Sequence, residues 1–229
     1  MTRRPARTAL TAVLLLIAGL FVALGIWQVE RRAWKHALVA AVETRAHAAP
    51  VAAPGPAQWR AVTQDRDAYR RVTVEGRFLP GRQTLVRAVS DLGSGYWVLA
   101  PFDTGRFTLL VNRGFIPPEA KGRVPEPQGQ VRITGLLRIT EPGGGFLRSN
   151  DPASDNWYSR DVPAIAAKRR LGTVAPYFID ADGSLDAPGK PTGGLTVIRF
   201  PDNHMVYALT WFGMAALCLW ALGRLRSSA

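Results

Sequence analysis

The chain has 229 residues, 47% of them hydrophobic, with a mean hydropathy of zero and a formal net charge of +12. Apolar and polar residues must therefore be segregated along it, and its single cysteine, Cys218, excludes an intramolecular disulfide or a multi-thiolate metal centre. The charge excludes a nucleic-acid footprint as well, because residues 36–203 mix 21 basic with 16 acidic side chains rather than gathering cations into a stripe.

In chain order, the first element is an uncharged run of 22 residues, Thr8 to Val29. A bilayer core of ~30 Å needs about 20 helical residues, so this run predicts a transmembrane helix over 8–29. It is longer than the apolar part of a signal peptide, and no small-residue cleavage site follows it directly, so a retained anchor is expected. Residues 30–58 read as a juxtamembrane segment, "ERRAWKH", leading into an Ala/Pro-rich spacer over 44–58.

Strand patterns then fill 59–203. "RRVTVEGRFL" (70–79) and "RQTLVRAV" (82–89) flank Pro80-Gly81 and predict a hairpin, and "GYWVLAPF" (95–102) with "RFTLLVNRGFI" (106–116) predicts a second. "GQVRITGLLRI" (129–139) reads as a strand with a bulge at Gly135. "DVPAIAAKRRLG" (161–172) predicts the one short helix, with Asp161 as N-cap and Gly172 as its stop. "PYFID" (176–180) and "LTVIRF" (195–200) complete the strand set, and Asp180 and Asp182 read as members of a solvated turn. A second uncharged run, 19 residues from Met205 to Gly223, predicts a transmembrane helix over 204–223. Small residues at Gly19 and Ala23 offer a close approach for it, and Gln28 a hydrogen bond to it.

The predicted fold is thus an α+β membrane protein: two transmembrane helices flanking a mostly antiparallel β domain with one short helix. Arg3, Arg4 and Arg7 precede the first span, Arg224 and Arg226 follow the second, and neither tail holds an acid. The positive-inside rule then predicts cytoplasmic tails, 1–7 and 224–229, with the central domain facing the periplasm or its equivalent. No catalytic machinery is expected, since the only histidines besides His204 are His36 and His47 and no phosphate-binding loop occurs.

Five segments, in order, carry a resemblance: "LGIWQVERRAWK" (24–35), "SGYWVLAPF" (94–102), "VNRGFIP" (111–117), "NWYSRD" (156–161) and "NHMVYALTWFG" (203–213). Together they resemble the surfeit locus protein 1 family of cytochrome c oxidase assembly factors, with Phe115 where the family often has Trp. The resemblance implies binding of haem a, delivery to oxidase subunit I, a haem a synthase as partner, and His204 as iron ligand.

Helical spacing puts His204, Ala208, Trp211, Ala215 and Cys218 on one face, with Tyr207 at its edge. Such a face suits a macrocycle, with small residues for room and aromatic ones as lining. It equally suits an interfacial aromatic belt with a solvated histidine at the helix end. Trp27, Arg31 and Trp34 share a face of the first helix, where the guanidinium has three readings: stacking on the tryptophans, facing propionates, or snorkelling within an interfacial aromatic anchor. In "VNRGFIP", Arg113 is expected to pair with an acidic neighbour at a strand end, a partner contact being the other reading.

Overall fold

The computed structural model describes residues 3–145, 147–183, 189–196 and 202–227. Two helices enclose the chain order: α1 (Arg3–His47) and α4 (His204–Ser227). Between them run β1 (Val51–Ala52), α2 (Gln64–Asp67), β2 (Arg71–Phe78), β3 (Thr84–Ser90), β4 (Gly93–Asp103), β5 (Thr108–Ile116) and β6 (Val131–Ile139). A two-stranded hairpin of β7 (Gly144–Gly145) and β8 (Arg148–Ser149), then α3 (Val162–Arg169) and β9 (Val174–Ala181), follow. Two compact units result, one of residues 42–197 and one of residues 1–41 with 198–229. Both long helices are apolar and long enough to cross a membrane.

In residues 42–197 the strands pair in the order β1-β2-β6-β9-β5-β4-β3. β2 also pairs with β4, at Arg77–Asp103 and Phe78–Phe102. That contact closes β2, β6, β9, β5 and β4 into a five-stranded barrel, leaving β3 and β1 outside the ring. Closure removes sheet edges that would otherwise present unpaired backbone groups. Strand alternation then sends each residue either into the barrel or outward. Phe102, Val111, Ile133, Tyr177 and Ile179 fill the interior. Leu99, Leu110 and Phe178, from the alternate positions, form a second core with Trp157 and with Val162 and Ile165 of α3. Burial on both faces explains why these strands read as unbroken apolar runs.

Several local expectations change. β2 does not pair with β3, because barrel closure gives β2 to β6 and β4 instead. The bulge is not at Gly135, whose strand pairs in regular register with β2 and β9. A Cβ at Gly135 would lie 2.1 Å from the Asp180 carbonyl oxygen, so the glycine serves close strand approach. Register shifts fall instead between Trp97 and Leu99, where β4 pairs with β5, and between Thr108 and Leu110, where β5 pairs with β9.

The Ala/Pro segment is no free spacer. Residues 44–47 finish α1, β1 pairs in parallel with β2, and the Pro54 carbonyl accepts from Trp59 Nε1 (3.0 Å) and the buried Tyr177 hydroxyl (2.7 Å). For α3, Asp161 is the N-cap, its side chain accepting from the Ala164 N–H at 3.1 Å. The helix ends earlier than Gly172, at Arg170 in the left-handed conformation (φ 54°, ψ 51°). Leu195 and Thr196 are not in a strand, and the rest of the 195–200 prediction lies outside the described residues.

Candidate functional site

The helix unit is built on a seam. Ala18, Phe21, Gly25, Gln28 and Arg32 of α1 are buried or half-buried at alternating spacings of three and four. His204, Ala208, Trp211, Ala215 and Cys218 of α4 follow the same rhythm. A 3.5-residue repeat on both helices is the pattern that keeps two antiparallel helices in register. Phe21 stacks on Trp211 with ring centroids 5.6 Å apart. A Cβ at Gly25 would come within 2.5 Å of the Phe212 ring, so Gly25 sets the approach. Gly19 and Ala23 are exposed and take no part. The room expected beside Ala208 and Ala215 is therefore filled by α1, and Trp211 faces Phe21.

His204 stands at the top of this seam. Its Nδ1 lies 2.7 Å from Gln28 Oε1 and donates to it. That bond engages Nδ1 and leaves Nε2 with no hydrogen-bond partner among the described residues. The Gln28 bond to the second helix, foreseen from sequence, thus ends on the candidate ligand itself. One position further out, Asp202 Oδ1 accepts the His204 backbone N–H at 3.0 Å, satisfying one of the open donors that begin α4. Asp202 Oδ2 lies 2.5 Å from His36 Nε2 and 3.4 Å from Arg32 Nε. The His36 hydrogen bond, then that from the His204 N–H, holds the Asp202 carboxyl below the usual range. Sequence reasoning missed this clasp, since it joins residues 166 positions apart.

Apart from Trp211, the other proposed residues sit off the seam. In an antiparallel pair, residues one place before a seam position on either helix fall on a common side. Trp27, Arg31 and Tyr207 occupy such places, before Gln28, Arg32 and Ala208. Trp27 is 50% and Tyr207 54% exposed. The Arg31 guanidinium lies 4.5 Å from the Trp34 ring centroid. The opposite side carries Val22, Ile26, Val29, Met205 and Leu209, all apolar and exposed. Near His204, one side of the pair thus carries Trp27, Tyr207 and the Arg31 cation, and the other carries these apolar side chains with the Phe212 ring beyond Leu209.

Two of the resembling segments meet inside the barrel domain. Asp180 is buried in β9, not in a solvated turn. It accepts from Asn112 Nδ2 (2.8 Å), Arg138 Nη1 (2.9 Å), Arg160 Nη1 (3.2 Å) and Thr196 Oγ1 (3.0 Å). Burial alone would lower the Arg160 pKa, but Asp180 and Glu141 more than offset it and the net shift is upward. This is a satisfied buried charge network, joining "VNRGFIP" to "NWYSRD". Arg113, by contrast, has no carboxylate within salt-bridge distance among the described residues. It donates to Gln83 Oε1 (2.9 Å) and the Pro125 carbonyl (2.7 Å), and Gln83 in turn donates to Glu126 at 2.7 Å. Burial lowers its pKa to about 10, with Glu126 acting in the opposite sense. The expected acidic neighbour exists, but an amide stands between. The described residues contain no cluster of three or more metal-ligating side chains.

Two helices long enough to span a membrane, joined at a histidine with one fixed and one open nitrogen and paired with a small β-barrel, define a membrane-anchored class of protein. The SURF1 family model matches residues 15–216, and the chain belongs to that family. It is 38% identical to surfeit locus protein 1 of Mus musculus over 89% of this chain and 71% of that protein. The corresponding Homo sapiens protein is 36% identical over 89% of this chain and 73% of its own length. A SURF1-like protein of Monosiga brevicollis is 34% identical, covering 86% and 79% respectively.

Proposed function

We propose that this protein is a non-enzymatic assembly factor for cytochrome c oxidase that binds haem a on its helix pair and assists insertion into subunit I. The observation that carries the reading is the His204–Gln28 bond. It orients an imidazole whose Nε2 is open, which is what an axial haem ligand requires. Tyr207 and Trp27 supply flat apolar surface on one side of the pair, and Arg31 a guanidinium suited to a carboxylate such as a propionate. Trp211 supports the site from within the seam, through Phe21. Haem a would be the cargo, with His204 holding its iron and Arg31 its edge. A haem a synthase is the natural donor in this reading, and subunit I the acceptor.

The orientation proposed is the one the basic tails favour, with both termini in the cytoplasm of a bacterial inner membrane and residues 59–203 on the periplasmic side. A reporter fused after Ala229 should then be active only on the cytoplasmic side.

The direct test is a visible spectrum of protein purified from cells that make haem a. Wild type should carry haem, and His204→Ala should accumulate in the membrane with native helicity and no colour. Insertion is unaffected because the uncharged run after His204 is intact. A His204→Ala protein with full haem and an unchanged spectrum would leave a cofactor-free scaffold as the function.

A further inference from the structure

Outside the charge network, three cations of the barrel domain stand against tyrosine rings. The Arg87 and Arg148 guanidinium groups lie 5.6 and 5.5 Å from the Tyr158 ring centroid, and Lys121 Nζ lies 5.4 Å from that of Tyr96. None of the three has a carboxylate partner among the described residues, and the nearby Asp155 is held by Arg169 at 2.7 Å. A cavity of about 300 Å³ is lined by Arg87, Val89, Tyr96 and Arg148 among others, with no acid in its lining. A second cavity, of about 390 Å³, shares Arg87 and Tyr96 with it and is lined by Lys121 and by Asp155. Stacking on tyrosine holds these cations in place while leaving their N–H donors free.

Large apolar side chains stand bare beside them. Val89 and Leu92, at the β3–β4 tip, are 82% and 57% exposed, and Leu147, in the turn between β7 and β8, is 88% exposed. Leu147 has φ 56°, a left-handed conformation that an apolar residue seldom adopts. Leu147 is the chain neighbour of Arg148, and Val89 lines the same cavity as Arg148. A soluble anion would account for the cations alone, and an apolar peptide for the tips alone. A ligand with an anionic head and a hydrocarbon tail accounts for both.

We propose that this surface binds anionic phospholipid, with Arg87, Lys121 and Arg148 on the headgroup phosphate and Val89 and Leu147 against the acyl region. Tethering by two apolar helices keeps such lipid at high effective concentration, and attraction to an anionic leaflet adds with each cation.

The test uses the full chain carrying Cys218→Ser, with a nitroxide label on Val89→Cys or Leu147→Cys, in bilayer discs. In discs of phosphatidylglycerol mixed with phosphatidylcholine, both labels should gain accessibility to oxygen and lose it to an aqueous nickel complex. In pure phosphatidylcholine discs, or with Arg87→Gln and Arg148→Gln together, that shift should be lost. A label on Arg106→Cys, in the β4–β5 turn at the other end of strand β4, should stay aqueous throughout. Labels that are aqueous in both discs would overturn the proposal, as would a shift of equal size at position 106. It would also fall if inorganic phosphate released the labels where chloride at equal ionic strength did not, since the site would then take free phosphate.

Discussion

The helix pair and the barrel solve the same problem, holding polar groups away from water, in opposite ways. In the barrel, Asp180 receives four donors and its two arginines are ion-paired, so nothing in that cluster is left over. In the helix pair, His204 spends one nitrogen on Gln28 and keeps the other open. A complete network contributes rigidity, whereas an incomplete one at a membrane boundary is available for chemistry. The two units should therefore respond differently to the loss of one partner: the barrel in stability, the helix pair in ligand binding.

The largest effect is expected at Asp180. Asp180→Ala leaves Arg138 and Arg160 without their shared buried acceptor, and breaking a buried pair costs about 3–5 kcal/mol. Chemical denaturation should show that loss for the barrel domain. A loss below about 1 kcal/mol would mean that water replaces the carboxylate and that the contrast between the units is weaker than drawn.

Gln28→Leu should come next, and it sharpens the comparison because it touches no iron. Removing an outer partner of a ligating histidine typically weakens metal affinity about 10–100-fold. Haem a titration should show that drop with little change in thermal unfolding, and Gln28→Asn should recover part of it if the amide carbonyl is what matters. Equal haem affinity in Gln28→Leu would mean that the seam alone orients His204.

Gly25→Val tests whether the seam sets the site. Its new side chain would meet the Phe212 ring, so α1 and α4 must separate locally. Disulfide cross-linking between Phe21→Cys and Trp211→Cys, in a Cys218→Ser background, should become less efficient, while a Gly19→Val control leaves it unchanged.

The smallest effect belongs to Asp202. Its folded-state pKa is lowered by His36 and the His204 N–H, so the contribution is present above the unfolded value of about 3.9 and is lost as pH falls through the folded one. Hydrogen exchange in the first turn of α4 should quicken across that window. Asp202→Asn should remove the pH dependence, with only a slight change in global stability because the carboxylate is solvated.

Much of this was legible in the sequence because it rests on local patterns. The two spans follow from long uncharged runs. The N-cap of α3 follows from Asp161 ahead of Pro163. The α4 face, from His204 to Cys218, follows from helical spacing alone. What occupies that face did not follow, because it depends on α1, more than 160 residues earlier in the chain. The same holds for Asp180, whose "DADGS" context reads as a turn. Its donors lie 68, 42, 20 and 16 residues away, and only barrel closure brings them to one point.

Composition and period by themselves determined which segments are apolar enough to span, which alternate as strands and which face of α4 is special. Only tertiary structure decided that β2 joins β6 and β4, that Arg113 meets an amide before a carboxylate, and that His204 points one nitrogen at Gln28. The reason is physical. Propensity and periodicity act over a few residues, whereas the partner of a buried polar group is whichever residue the folded chain carries to within about 3 Å.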